Sequence, residues 1–176
     1  MTELEAAIAD HRAAVDEFVA AARRIDAAGW TTPRAKGAWS PAQIAEHLAL
    51  FYEYSRRVAT GTEPSPIPRL LRPLVQRLAR RVVVDSTLKA GRFTRKGRAP
   101  GVFQPSPTPA PAADVLARVE VAVRGLEADI RSRHPEARRT IPHPIFGALA
   151  TTAWVRLQAI HVRHHRAQLP AVATHV

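Results

Sequence analysis

The stretch Ile160-His161-Val162-Arg163-His164-His165-Arg166-Ala167-Gln168-Leu169 decides how this chain folds, once it is set beside Ser40-Pro41-Ala42-Gln43-Ile44-Ala45-Glu46-His47-Leu48. On a helix, His161 and His165 are four residues apart, so their imidazoles rise from one face about a turn apart and can grip one metal ion. Two ligands make half a site. The third imidazole is His47, more than a hundred residues upstream, provided that the two helices pack side by side.

The surrounding pattern supplies those helices. Ser40 is a good N-cap, Pro41 suits the first helical position, and Gln43 completes a capping box; Ile44, Leu48, Phe51, Ser55 and Val58 make the buried stripe, and Gly61 ends the helix. Upstream, Leu4, Ile8, Val15, Phe18, Ala22 and Ile25, with His11 in register, form the seam of a first helix closed by Gly29, and Trp30 to Gly37 reads as a loop. A third long helix spans about Ala112 to Arg133 on Val115, Val119, Val123, Leu126 and Ile130. His143-Pro144-Ile145-Phe146-Gly147 is a turn-rich link, and the last helix runs from near Thr151 until Pro170 stops it. No strand pattern competes with the helices. The expected fold is all-α, a four-helix bundle with a long irregular, basic connection between the second and third helices.

That connection, residues 62–111, is rich in proline. Within it Ile67, Leu70, Leu71, Leu74, Val75, Leu78 and Val82 recur at helical spacing, with Arg69, Arg72, Arg77, Arg80 and Arg81 between them, giving an amphipathic basic helix that begins or kinks near Pro73. The favoured reading has the leucines covering one end of the bundle with the arginines in solvent; the rival lays the helix on anionic lipid. Val82-Val83-Val84 closes this helix, and Gly91 to Pro111 reads as a loop.

At 176 residues, with 46% hydrophobic and 23% charged, the chain has the size and composition of one soluble domain spanning 1–176. The net charge of +11 is concentrated: residues 69–98 hold ten basic side chains against Asp85, which leaves about +2 for the rest. Charge alone supports nucleic acid as a partner, and the run lacks interleaved aromatics apart from Phe93 and Phe103, so that partner is not expected. Zero cysteines exclude disulfides, thiolate ligands and a cysteine nucleophile. The N-terminus lacks the basic and apolar regions of a secretory signal, and no apolar run reaches the length of a membrane span, so a cytoplasmic location is expected.

Neutral imidazole suits zinc, nickel, copper or iron, and three histidines would leave a position for water or substrate. Against this stands the plain alternative that an inward histidine is a hydrogen-bonded core residue. His164 also lies one turn from His161 and reads as a rim residue, and Glu46 points about 100° away from His47, as a solvated residue rather than a ligand.

Trp39-Ser40-Pro41, His47-Leu48 and the His161 to Leu169 pattern HxxxHRxQL together resemble the DinB-like superfamily, and His143 to Gly147 with Trp154 resembles a branch of it with many uncharacterised members. The likeness covers roughly residues 1–60 and 112–170, leaving the basic insert outside. It implies a four-helix bundle with a divalent metal, zinc or nickel foremost, on His47, His161 and His165, and so selects His165 over His164. It further implies a metal-dependent S-transferase or isomerase using a low-molecular-weight thiol and an electrophile, with Arg163 and Arg166 as candidates to orient an anionic thiol cofactor or substrate. The competing view of those arginines is solvated helix charge. A non-enzymatic stress-response or binding module, with the insert on an anionic membrane surface or a partner, is the alternative function, and a homodimer is an open assembly state.

Overall fold

In the computed structural model, which describes residues 1–94, 99–108, 110–136 and 139–170, four long helices form the frame of the chain. Helix α1 (Glu3–Ala22) starts at Thr2, whose hydroxyl accepts from the Glu5 N–H, with Glu3 and Glu5 in the first turn where the helix dipole favours negative charge. The stretch after it departs from the sequence reading. Asp26, a stronger start signal than Gly29 is a stop, accepts from the Gly29 N–H at 2.7 Å and caps a short α2 (Ala27–Thr31), which buries Trp30.

The capping box forms at α3 (Pro41–Ala59): Ser40 Oγ accepts from Gln43 N at 3.3 Å and Gln43 Oε1 accepts from Ser40 N at 3.0 Å. Helix α3 packs along α6 (Ala112–Arg133), and α1 along α7 (Thr151–Arg166), giving the expected four-helix bundle. Phe18, Leu48, Tyr52, Leu126, Ile130 and Trp154 are fully buried between them. The core also holds polar groups. The Tyr52 hydroxyl shares a 2.8 Å hydrogen bond with His11 Nε2, and Arg12 donates to buried Glu127 at 2.5 Å, joining α1 to α3 and α6.

Among the described residues the structure holds one element that the sequence reading excluded, an antiparallel hairpin of β1 (Thr140–His143) and β2 (Gly147–Ala150). Ile141 pairs with Leu149, and both are buried against the bundle. Gly147, at φ 72°, turns the chain, and His143 Nδ1 accepts from the Ile145 and Phe146 N–H groups, which pins the bend. Two four-residue strands are too short for a period of two to stand out, and Pro142 argues against a strand.

The insert contains α4 (Arg72–Ala79), a π-helical turn (Arg80–Asp85) that takes in the three valines, α5 (Ser86–Ala90), and a 3-10 turn (Gly101–Phe103). Arg95, Lys96 and Arg98 of the basic run, and Pro109, lie outside the described residues. Val84, Thr87 and Phe103 seat the insert on the bundle. The leucines of α4 do not cover the bundle's end, contrary to the favoured reading. Gln76 donates to the Pro144 carbonyl at 3.0 Å and Arg80 to the Ala148 carbonyl at 3.1 Å, so the polar side of α4 faces the hairpin while Leu70, Leu71, Leu74 and Leu78 face solvent.

Tyr52→Phe removes one oxygen from the core and leaves His11 Nε2 without its partner. Urea unfolding is expected to show a loss of about 1–3 kcal/mol, the desolvation cost of an unpaired buried polar group, with unchanged helical circular dichroism.

Candidate metal centre

His47 comes from the middle of α3 and His161 and His165 from the last turns of α7. Their Nε2 atoms face one another, His47 to His161 at 3.3 Å and His161 to His165 at 3.0 Å, with all three inside 4.8 Å. His47 and His165 are buried and His161 half-buried.

The outer nitrogens decide what those atoms offer. A carbonyl only accepts, so the 2.8 Å contact of His47 Nδ1 with the Phe103 carbonyl fixes the proton on Nδ1 and leaves Nε2 a bare lone pair. His165 Nδ1 donates to Gln168 Oε1 at 2.8 Å, and the same amide donates through Nε2 to His164 Nε2 at 3.0 Å, so Gln168 holds His165 in the same tautomer. His161 Nδ1 is buried with no partner among the described residues. A proton on His161 Nε2 would satisfy one neighbouring lone pair and leave the other facing it; a cation satisfies all three. Tetrahedral zinc with bonds of about 2.0–2.1 Å sets its nitrogens about 3.3 Å apart. The donor set fits a divalent transition ion.

Burial keeps the imidazoles neutral, as ligation requires. It lowers the pKa of His47 despite the opposing hydrogen bond to Phe103, pushes that of His165 down to about 3, and holds that of His161 well below the ordinary value, reinforced by the neighbouring imidazoles.

Aromatic rings wall the cluster. Trp39 lies 4.9 Å from the His47 ring and stacks towards His165 at 6.5 Å, Phe51 lies 4.1 Å from His161, Phe103 meets His47 edge-on at 6.3 Å, and Phe93 reaches His161 at 5.8 Å. Phe93 and Phe103 belong to the insert, so that segment completes the site.

The other candidates lie elsewhere. The Arg163 guanidinium holds the Asp10 carboxylate at 2.5 and 3.0 Å, tying α7 to α1 on the side away from the imidazoles. Arg166 is half-buried and has no acidic partner among the described residues. His164 is exposed at the rim, against Phe93 at 5.3 Å. Glu46 is half-buried rather than solvated, because its carboxylate accepts from the Ser106 N–H at 2.9 Å and so pins the insert. Sequence reasoning missed two groups that orient the ligands. Gln168 was legible in principle, three residues after His165 inside the motif; the Phe103 carbonyl was not, since a backbone acceptor has no residue signature. A separate cleft of about 250 Å³ lined by Glu53, Arg56, Arg57, Thr60 and Asp129 contains no imidazole, and its charges are engaged in the pairs Arg56–Asp129 at 2.9 Å and Arg57–Glu63 at 2.7 Å.

The model of the DinB superfamily matches residues 10–169. Among solved structures, that of TT2238, described as a four-helix bundle protein, superposes with a TM-score of 0.58 at 24% identity, covering 93% of this chain and 95% of that one, a likeness of fold. No curated protein matches the chain.

The lowered histidine values have a signed consequence for the metal-stripped protein. His47, His161, His165 and also half-buried His143, pushed down to about 4, are protonated in the unfolded chain before they are in the folded one. Their stabilising effect is fully present above the unfolded value of about 6.5 and declines as pH falls below it, by up to about 1.4 kcal/mol per pH unit for each histidine. Denaturant midpoints measured in chelator are expected to drop steeply from pH 6.5 to 4; a flat profile would contradict the buried, neutral cluster.

Proposed function

This chain belongs to the DinB superfamily, and from that premise we propose that His47, His161 and His165 hold one divalent cation that serves transfer of the sulfur of a low-molecular-weight thiol to an electrophile. One observation carries the reading: three Nε2 atoms converge while the Nδ1 protons of His47 and His165 are committed elsewhere. An all-imidazole donor set favours zinc or nickel. When bound, such an ion supplies a Lewis acid that lowers the pKa of a coordinated thiol or water.

The chain's own residues supply the rest. The Phe103 carbonyl and Gln168 hold two ligands in the correct tautomer. Trp39, Phe51, Phe93 and Phe103 keep water from the cluster and offer apolar surface to the carbon part of a substrate. A chain without cysteine cannot provide the sulfur itself, which fits a small thiol as co-substrate. Arg166, which has no acidic partner among the described residues, is the arginine available to orient an anionic group on that thiol, whereas Arg163 is engaged with Asp10.

Protein purified without a histidine tag is expected to bind one divalent ion per chain by elemental analysis, and His165→Ala to lose it. Gln168→Ala is expected to weaken metal affinity about 10- to 100-fold, as removal of a partner that orients a ligand does. Metal-loaded wild type is then assayed for thiol consumption with a panel of small thiols and an alkylating electrophile, His165→Ala being the inactive control. Absence of stoichiometric metal after reconstitution overturns the site; stoichiometric metal without thiol consumption across the panel overturns the transferase reading alone.

A further inference from the structure

We propose that the exposed face of α4 docks onto an anionic lipid bilayer. The inference is independent of the metal centre.

Helix α4 is mounted inside out. On helical geometry Leu71, Leu74, Val75 and Leu78 share an arc about 100° wide, and Gln76 lies nearly opposite. It is Gln76 that faces the protein, with its amide on the Pro144 carbonyl, and Arg80 adds a bond to the Ala148 carbonyl. The apolar arc is left in water: Leu71 is 52% exposed, Leu74 71% and Leu78 61%, and the adjoining Leu70 is 91% exposed. No residue of α4 is buried. Scattered surface leucines need no explanation, but three with a valine on one short face, turned outward by specific hydrogen bonds on the opposite side, form a contiguous apolar patch.

Charge selects the occupant. Arg69, Arg77 and Arg81 flank the leucines and have no acidic partner among the described residues, and Asp85, the single acid in residues 69–98, already lies 3.8 Å from Arg80. A two-fold contact with a second copy would bury the leucines but bring two sets of unpaired arginines together. An anionic bilayer accepts both features at once, with leucines in the acyl boundary and guanidinium groups snorkelling to lipid phosphates.

The test is flotation of the full-length protein with vesicles of phosphatidylcholine alone and of phosphatidylcholine mixed with phosphatidylserine, at low and high salt. Binding is expected to the mixed vesicles at low salt, to weaken with salt, and to be absent on phosphatidylcholine. The exposed pair is removed in Leu74→Ser/Leu78→Ser, expected to leave thermal unfolding unchanged and to lower vesicle affinity at least about tenfold. Arg77→Ala/Arg81→Ala is expected to lower it about thirtyfold. No binding to mixed vesicles at low salt overturns the proposal. So does binding that survives loss of the leucines while depending on the arginines, which would mark a general polyanion site such as nucleic acid uses. A dimer in sedimentation equilibrium that Leu74→Ser/Leu78→Ser dissociates would assign the face to a second copy, with the same result.

Discussion

The hydrogen bond from His47 Nδ1 to the Phe103 carbonyl is the constraint on which the rest of the site depends. It joins residues 56 apart in sequence, one in α3 and one in the insert, and it determines which nitrogen of His47 carries the proton. With that proton committed outward, Nε2 must face His161 and His165 as an acceptor, an arrangement that is unfavourable for neutral imidazoles alone and favourable around a cation. The same bond draws the 3-10 turn onto α3, where the Phe103 ring packs against Tyr54 at 5.0 Å and Phe51 at 5.7 Å. Glu46, one residue earlier, accepts from Ser106, so adjacent residues of α3 secure the same part of the insert from two directions. Ligand orientation and the packing of an irregular segment are thus one event.

Local signals made the bundle legible in the sequence. Ser40, Pro41 and Gln43 mark the start of α3, and the apolar stripes of the four long helices repeat often enough to outweigh single exceptions. Those stripes also placed His47, His161 and His165 inward, because i, i+4 spacing is preserved wherever the helix forms. The closing partners were less visible. A backbone carbonyl leaves no mark on sequence, and Phe93 and Phe103 sit in a stretch with no periodicity whose position is set only by contacts with distant helices.

A different limit applies to the hairpin and to α4. The hairpin rests on one buried cross-strand pair, Ile141 with Leu149, and on a turn that His143 closes with its own ring nitrogen; neither repeats, so no pattern announces it. For α4 the amphipathic pattern was read correctly and its direction was not. Periodicity says that one face differs from the other, and the usual assumption turns the apolar face inward. Here hydrogen bonds from Gln76 and Arg80 to hairpin carbonyls decide the matter, and these depend on an element that was itself invisible.

The direction of α4 gives the net charge its meaning. Within the bundle, several basic residues are engaged: Arg118 forks onto Glu53 at 2.5 and 2.8 Å, Arg56 meets Asp129, Arg23 meets Glu120 and Arg163 meets Asp10. Such exposed pairs each contribute little to stability, about 1 kcal/mol at most, but they cancel the field of the groups involved. In the insert, Arg69, Arg77 and Arg81 have no acidic partner among the described residues and stand beside leucines in water. A diffuse +11 would act at long range on any polyanion. Part of that charge stands instead beside the exposed leucines of the insert, and the proposed docking rests on that pairing of positive charge with apolar surface.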